Sequence, residues 1–488
     1  MKAEKQSRIL ILGGGPAGIS AGYELSRNGY PCTVLERYPQ TGGLARTLRI
    51  GDFLTDIGPH RFFSKNQYLY DMIEEVLGDD WILVNRFTRF YIQGKFYLYP
   101  VDLKDALSNM GPMGAMRAFL DYLWSRFNKM VFNPRVESFE DFVVQEFGRT
   151  LAELNMINYT EKIWGIPCRK ISPDWARQRI KGLSIMSVIK KALFKNQKGP
   201  KTLVDQFYYP RYGAGQTYEK MAEKIARDGG KIHLSSPVAE VFCEGDRITS
   251  VGTAGGEKTV KHPGDFFISS IPITSLISMM NPPPPDEVLE ASSKLRWRSQ
   301  VYLYLQLKKE RVSRDNWVYF PDREIPFGRI HEAKNFSVHM SPQDRTTLWV
   351  EHFVFEDDPR WEAEADYIKE ITMKDLDRLG FVKEEDVEDF RKFREDFVYP
   401  VYELGYEEHL RIVKDYLGKF INLQLVGRPG RFRYNNQDHS METGILAARN
   451  LVQGAGYDLE EVGAEEEYFE KYQLSTKEKG NGEEKPQE

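Results

Sequence analysis

The sequence predicts an α/β protein built on a Rossmann-like nucleotide-binding domain that is assembled from discontinuous segments of the chain. A short apolar run at 8–12 leads into a glycine-rich turn, and a helical pattern follows it as far as about Asn28. A second apolar run at 32–36 completes a strand–helix–strand unit. Two later apolar runs, 266–270 and 421–426, have the length of buried strands and are assigned to the same domain.

The turn after the first strand has the spacing that backbone contact with a pyrophosphate requires. Its residues are Gly13, Gly14, Gly15, Pro16, Ala17 and Gly18, which follow the pattern G-x-G-x-x-G. Glycine permits the tight turn and the close approach of backbone to phosphate, and the helix N-terminus offers free N–H groups. Glu36 ends the second strand, beside Arg37, about twenty residues later. A carboxylate there accepts hydrogen bonds from ribose hydroxyls.

Two further turns follow closely and favour FAD over NAD. The first contains Gly42, Gly43, Leu44 and Arg46, and the second contains Gly58, Pro59 and His60. A second glycine turn lets the backbone reach the far side of the pyrophosphate, which an arginine neutralises, and the third turn lies within reach of an isoalloxazine. An NAD dehydrogenase does not need these turns. Two ordinary loops are the alternative interpretation.

The C-terminal region supplies a second contact with the predicted cofactor. Gly427 and Arg428 follow the apolar run at 421–426, and a helix opens around 436–440. The N-terminus of a helix directed at the pyrimidine edge of a flavin stabilises the negative charge of the reduced ring. In this part of the chain the predicted cofactor contacts are Gly427, Arg428, Asn436, Gln437 and Ser440. Val238, which lies in an earlier predicted strand, is a further predicted contact.

Composition narrows the class of partner and the compartment. The net charge of −5 and the pI of about 6.0 give no reason to expect nucleic acid. The three cysteines form no C-x-x-C pair, so that neither a zinc site nor a disulfide framework is predicted and a cytoplasmic location is expected. No signal peptide or transmembrane run is expected. The apolar segment 110–132 is predicted to be a core helix rather than a membrane-surface helix.

The order of strand and helix patterns predicts three units and a tail. The FAD-binding domain is expected to comprise 1–66, 205–295 and 408–460, with a helical insertion at 67–204. An antiparallel sheet that forms the substrate domain is expected over 296–407. The charged segment 474–488 is expected to be disordered.

These motifs resemble those of the flavoprotein superfamily that includes amine oxidases, protoporphyrinogen oxidases and phytoene desaturases. A narrower resemblance to UDP-galactopyranose mutases covers most of the chain. The stretches that carry the narrower resemblance are 56–64, 162–167, 175–179, 317–321, 326–329, 399–400, 427–434 and 436–440. The resemblance implies FAD as cofactor, with NAD(P)H as a candidate external reductant.

The same resemblance implies roles for individual residues. Arg179 and Arg329 would clamp a substrate diphosphate, which suits two guanidinium forks from separate elements. Tyr319, Tyr399 and Tyr434 would donate hydrogen bonds to phosphate oxygens. His60 would lie beside the flavin, and Trp164 would line the sugar pocket.

The sequence is compatible with two reactions and with flavin binding that is not followed by a reaction. In the first, reduced flavin N5 acts on a nucleotide diphosphate sugar, as the mutase resemblance implies. In the second, the flavin takes a hydride from a small molecule, as in protoporphyrinogen oxidases, amine oxidases and desaturases. The third interpretation is a flavin-binding protein without activity. The sequence does not decide the sugar or the oligomeric state.

Overall fold

The computed structural model describes residues 2–99, 103–180, 206–255 and 258–463. The predicted tail at 474–488 lies outside the described residues, and so does the part of the expected insertion from 181 onward. The side chains of 177–180, which include that of Arg179, are likewise outside the described part.

A five-stranded parallel sheet forms the centre of the nucleotide-binding fold. Its strands, in spatial order, are Leu423–Leu425, Phe266–Ser269, Ile9–Leu12, Cys32–Leu35 and Lys231–His233. Every neighbouring pair is parallel, and the central strand Ile9–Leu12 is buried throughout, as expected for a sheet covered on both faces. The strands come from three distant parts of the chain, and the predicted α/β fold class with a discontinuous Rossmann-like domain is confirmed.

Three helices cover one face of this sheet. They are Pro16–Arg27, Gly215–Arg227 and Gln437–Gln453. The first and last approach closely, because a Cβ atom at Gly444 would lie 2.0 Å from the carbonyl oxygen of Ala17. The last helix begins at Gln437, within the range 436–440 that the sequence predicted. Its start is therefore held next to the start of Pro16–Arg27.

A seven-stranded sheet forms the second layer. Its spatial order is Val387–Pro400, Trp297–Leu307, Thr346–Val354, Arg329–Glu332, Trp317–Tyr319, Thr88–Ile92 and Lys95–Leu98. The strand pairs are antiparallel except the one that joins Trp317–Tyr319 to Thr88–Ile92. One face packs on the helix Ala365–Arg378, and the other places Trp349 against Ile57. Burial of both faces explains why Thr346–Val354 is buried along its whole length.

The stretch expected as a helical insertion, 67–204, also contains strands, which follow its first helix Gln67–Leu77. Trp81–Asn85 pairs with Gln206–Pro210, and the strands at 88–92 and 95–98 join the seven-stranded sheet. The long helix Leu103–Phe132 follows, with a break at Gly111, whose φ is 71°. The prediction that this segment is a core helix is wrong, because most of its large apolar side chains are exposed.

The remaining elements surround these two sheets. The remaining helices of four or more residues include Gln67–Leu77, Phe139–Phe147, Ala152–Ile157 (a π-helix), Asn158–Trp164, Pro173–Ile180, Ile273–Ser278, Asp286–Lys294, Pro359–Glu362, Tyr406–Leu417 and Gly427–Arg431. The other strands include Thr47–Ile50, Phe53–Asp56, Val238–Glu244, Arg247–Gly255, Lys258–Pro263 and Met280–Asn281. Within the described ranges, no helix is long and apolar enough to cross a bilayer.

Candidate active site

The two glycine turns lie against each other at the carboxyl end of the parallel sheet. The backbone N–H of Gly42 donates to the carbonyl oxygen of Gly14 at 2.8 Å. A Cβ atom at Gly43 would lie 3.0 Å from the Cα atom of Gly15. Gly15 is the N-cap of Pro16–Arg27, and no described side chain caps this helix end. The result is a backbone cradle with free N–H groups, as a pyrophosphate requires.

Glu36 lies buried at the edge of this cradle. Its carboxylate accepts hydrogen bonds from the backbone N–H groups of Gly14 at 2.6 Å and Tyr38 at 2.8 Å. Burial raises the pKa of Glu36, and the two N–H groups oppose that rise. The carbonyl oxygen of Glu36 accepts from Ser236, which brings the strand that begins at Val238 to the same end of the sheet.

The two arginines next to the cradle are both paired with carboxylates. The ring of Tyr38 lies between the guanidinium groups of Arg37 at 4.6 Å and Arg46 at 3.8 Å. Arg46 forms a buried ion pair with Glu395, and Arg37 pairs with Asp396 at 2.5 Å. Both acids belong to the strand Val387–Pro400. The arginines therefore tie the cradle to the seven-stranded sheet and are not available as free charges.

The third turn places His60 between the cradle and the large sheet. Its Nε2 atom lies 2.8 Å from the carbonyl oxygen of Leu44 and 3.0 Å from that of Ile57. Because both partners are acceptors, Nε2 carries the proton. Burial lowers the pKa of His60 to about 4, with further lowering by Arg428 and Arg329. His60 is therefore neutral at pH 7.

This lowered pKa predicts a specific loss of stability in acid. The unfolded chain binds a proton at His60 below about pH 6.5, whereas the folded protein binds it only near pH 4, so that stability falls as the pH drops through this window. The stability lost across this window is about 3 kcal/mol. We expect His60→Gln to reduce the slope of the unfolding free energy against pH between 6.5 and 4. An unchanged slope in urea titrations would contradict the assignment.

Arg329 lies against this turn and forms a two-point ion pair with Glu351. Its Nε and Nη2 atoms donate to the two carboxylate oxygens at 2.8 and 2.6 Å. A Cβ atom at Gly58 would lie 3.6 Å from Nη2 of Arg329. Burial opposes ionisation of Glu351, but the guanidinium outweighs it and lowers the pKa of the acid to about 2. Within the described part of the chain Nη1 of Arg329 makes no hydrogen bond, so that its donors remain for a further partner.

A group of tyrosines surrounds these arginines. Tyr399 and Tyr434 stack with ring centroids 5.5 Å apart and planes at 16°. The guanidinium of Arg428 lies 5.1 Å and 4.8 Å from the two ring centres and donates to the carbonyl oxygens of Val398 and Asn435. Burial raises the pKa of Tyr399, so that its phenol stays protonated. Tyr319 lies directly opposite Arg329 on the neighbouring strand, and its ring stacks on that of Phe90 with centroids 4.8 Å apart.

Trp164 lies beneath the stacked tyrosines. It is almost fully buried and meets Tyr399 edge-on at 5.9 Å and Trp175 at 4.7 Å. Its indole N–H has no acceptor among the described residues. Trp175 belongs to the helix Pro173–Ile180, and Arg179 lies one turn further along the same helix. The backbone that carries Arg179 is therefore close to the tyrosine pair, while its side chain is outside the described part.

The start of the C-terminal helix closes the site from the other side. A Cβ atom at Gly427 would lie 3.0 Å from the Cβ atom of Ala17, next to the cradle. The side chain of Gln437 accepts from the hydroxyl of Tyr218 at 2.7 Å, and Ser440 donates to Asn435 at 2.8 Å. Asn436 is the N-cap. The amide oxygen of Gln437 is thus engaged, and a small cavity lies between it and His60.

Three residues of the site escaped the analysis of the sequence. They are Glu351, Glu395 and Tyr159, whose ring lies 5.1 Å from that of Tyr319. Glu351 carried a usable signal, because a single acid stands in the middle of the otherwise uncharged, wholly buried strand Thr346–Val354. A buried carboxylate requires a partner, and a cation from another strand could have been sought. Glu395 and Tyr159 lie in mixed segments that carry no comparable signal.

The parallel sheet carries two touching glycine turns, and it is joined to a second sheet that carries arginines and tyrosines. This combination is that of a flavoenzyme. The profile of the flavin containing amine oxidoreductase family matches residues 16–413. The chain belongs to this family, and a flavin is the cofactor of the family.

Solved structures share the fold over almost the whole chain. A structure of reduced UDP-galactopyranose mutase superimposes with a TM-score of 0.81 at 20% identity and covers 94% of this chain and 96% of that one. A structure of putrescine oxidase bound to putrescine gives a TM-score of 0.61 at 14% identity and covers 91% of this chain and 98% of that one. At these identities the likeness concerns the fold alone.

Curated relatives match only a short part of the chain. An L-amino-acid oxidase from Crotalus adamanteus is 38% identical over 68 residues, which is 14% of this chain and 13% of the oxidase. A β subunit of an NADPH-Fe(3+) oxidoreductase from Geobacter sulfurreducens is 43% identical over 42 residues, or 9% of this chain and 6% of the subunit.

Proposed function

We propose that this flavoenzyme binds FAD and acts on a nucleotide diphosphate sugar in the manner of a mutase. The observation that carries the proposal is the closed, cation-capped tyrosine pair formed by Tyr399, Tyr434 and Arg428. Rings 5.5 Å apart and nearly parallel are in contact, so that no amine can be held between them. The guanidinium of Arg428 lies about 5 Å from both ring centres, and its positive charge disfavours an ammonium group at the same rings.

The residues around the cradle fit the proposed cofactor. The turns at Gly15 and Gly43 approach so closely that a Cβ atom at Gly43 would lie 3.0 Å from the Cα atom of Gly15. We assign Glu36, whose carboxylate accepts from Gly14, to the ribose, and the start of Gln437–Gln453 to the flavin ring. The other residues that we assign to FAD are Gly13, Pro16, Ala17, Gly18, Arg37, Gly42, Leu44, Arg46, Gly58, Pro59, His60, Val238, Gly427, Arg428, Asn436 and Ser440. A bound flavin in its reduced form supplies a nucleophilic nitrogen.

The charge around the tyrosines supports an anionic substrate. Arg329 retains free donors despite its ion pair with Glu351, and Arg428 adds a second guanidinium. Protonated phenols of Tyr319 and Tyr399 provide neutral donors. Two guanidinium groups with phenols offer the donors that a diphosphate accepts. The charge of Arg329 is balanced by Glu351, and the described partners of Arg428 are carbonyl oxygens, so that Arg428 is the cation that disfavours an amine. In the proposed reaction Arg179 contributes a further cation, and Trp164 packs on the sugar.

A second function remains a candidate because of the family and its curated relatives. An oxidoreductase of this fold takes a hydride from a small molecule, and the matched L-amino-acid oxidase is one such protein. An arginine of the site would then bind a substrate carboxylate. In both cases we expect a cytoplasmic enzyme, divided into the domains that the sequence indicated.

One assay separates the two functions. Purified flavin-loaded protein is incubated with UDP-galactopyranose, UDP-glucose or L-amino acids, with the flavin oxidised or reduced by dithionite or NADPH, and the products are resolved by chromatography. The mutase proposal predicts an isomerised nucleotide sugar only after reduction. Anaerobic bleaching of the flavin by an L-amino acid, without conversion of any nucleotide sugar, would overturn it in favour of the oxidoreductase.

Substitution of Arg329 tests the proposed diphosphate contact. Arg329→Lys keeps a cation beside Glu351 but removes the planar fork, so that we expect KM for the nucleotide sugar to rise at least about tenfold while flavin content is retained. Arg296→Lys is the matched control, because Arg296 is a half-exposed residue that pairs at 3.6 Å with Glu403. Equal KM values for the two variants would rule out the contact.

A further inference from the structure

The outer face of the long helix is the largest exposed apolar feature in the part of the chain that the structure describes. Met113, Trp124 and Met130 are 87%, 65% and 78% exposed. The other large apolar side chains exposed on this helix are Met116, Phe119, Leu120, Leu123, Phe127, Val131 and Phe132. Isolated exposed apolar residues need no explanation, but nine of these ten, all except Phe132 at the helix end, lie on one side of the helix. A contiguous apolar stripe of that size marks an interaction surface.

The stripe points directly away from the body of the protein. Ala118 and Ser125 are buried, and Asp121 accepts a hydrogen bond from the backbone N–H of Thr150 at 3.1 Å. With 3.6 residues per turn, these three residues lie on the face opposite the stripe. The helix restarts at Pro112 after the break at Gly111, so that the stripe extends over about 30 Å.

Cations border the stripe on both edges. The segment 112–132 contains the cations Arg117, Arg126 and Lys129 and a single acid, Asp121, which faces inward. Helical geometry places Arg117 on one edge and Arg126 on the opposite edge, with Lys129 behind Arg126. Arg126 at 3.3 Å and Lys129 share one carboxylate, that of Glu146. The border is therefore positive overall.

We propose that this helix binds in the plane of an anionic lipid bilayer, with the stripe in the boundary between headgroups and acyl chains. Methionine, phenylalanine and tryptophan side chains enter that boundary, while arginine and lysine on the edges reach lipid phosphates. A second copy of the chain fits less well, because either orientation of paired helices would set cationic edges against each other without opposing acids. The surface lies on the helical part, apart from the tyrosine site, so the binding is independent of which reaction the flavin performs.

Flotation with lipid vesicles tests the proposal on the flavin-loaded full chain. Vesicles of phosphatidylcholine alone are compared with vesicles that contain one-third phosphatidylglycerol. We expect co-flotation with the anionic vesicles, weakened by high salt. The double variant Leu120→Glu/Trp124→Glu should lower the bound fraction at least about tenfold, since it places two charges in the buried face. Val338→Glu, at a 62% exposed residue elsewhere, is the matched control and should bind as the wild type does.

The flotation results show whether a lipid bilayer or a second copy of the chain covers the apolar stripe. Unchanged flavin absorption in each variant shows that the fold is intact. If the protein binds neither type of vesicle, the proposal is overturned. If, in addition, light scattering shows a dimer that the double variant converts to a monomer, a second copy covers the stripe. If Val338→Glu lowers vesicle binding as much as the double variant does, the proposal is also overturned, because the added negative charge alone would then explain the loss of binding.

Discussion

Gly43→Ala is expected to remove the flavin from the protein. The new Cβ atom would lie 3.0 Å from the Cα atom of Gly15, so that one glycine turn must move away from the other. Both turns would contact the pyrophosphate, and a shift of a few tenths of an ångström breaks several short hydrogen bonds to it. We expect flavin affinity to fall at least about a hundredfold, measured by the absorption spectrum of the purified protein and by titration of the apoprotein with FAD.

Gly51→Ala is the matched control for this change. Gly51 has a φ of 58°, close to the 54° of Gly43, and a Cβ atom there would meet no atom within 4 Å. Both substitutions therefore carry the same backbone cost of about 1–2 kcal/mol. Only Gly43→Ala should lose the flavin. Equal flavin content in the two variants would mean that the contact between the turns does not shape the cofactor site.

Glu351→Gln is expected to destabilise the protein by about 3 kcal/mol or more. The substitution leaves the guanidinium of Arg329 charged and buried without its counter-ion, and breaking one side of a buried pair costs more than the pair contributes. Urea denaturation measures the change. Glu388→Gln serves as the comparison, because Glu388 lies at the surface at 3.3 Å from Arg345 and its loss should have no measurable effect.

The pH dependence of this difference follows from the same pair. Arg329 holds the pKa of Glu351 at about 2, below its usual 4.5, so that the ionised acid stabilises the fold above pH 4.5. This stabilisation is lost as the pH falls from about 4.5 towards 2. The difference between wild type and Glu351→Gln should therefore be constant near neutral pH and shrink below pH 4.5. A difference that does not change with pH would show that the ion pair is not its source.

Features with short-range causes could be predicted from the sequence. The turn from Gly13 to Gly18 requires backbone freedom within six residues, and the apolar runs that flank it need only the two-residue period of a strand or the 3.6-residue period of a helix. The same holds for the strands of the parallel sheet. These causes operate along the chain, which is why the fold class could be inferred before any contact was known.

Features that join distant segments could not be read in this way. Arg46 was expected beside a pyrophosphate, and its partner Glu395 stands 349 residues away. Arg329 was expected to be free to bind a diphosphate, but its Nε and Nη2 atoms donate to the carboxylate of Glu351. Charge pairing depends on distances in space, and the spacing of residues along the chain does not contain them.

The long helix makes the same distinction for apolar residues. Its sequence is amphipathic whether the apolar face is covered or open, and so the pattern alone indicated a core helix. Packing decided otherwise, because the small and polar side chains of Ala118, Asp121 and Ser125 face the neighbouring segment. Periodicity shows that a helix has an apolar side, but the surrounding chain determines which side is buried, and this depends on contacts that no local pattern encodes.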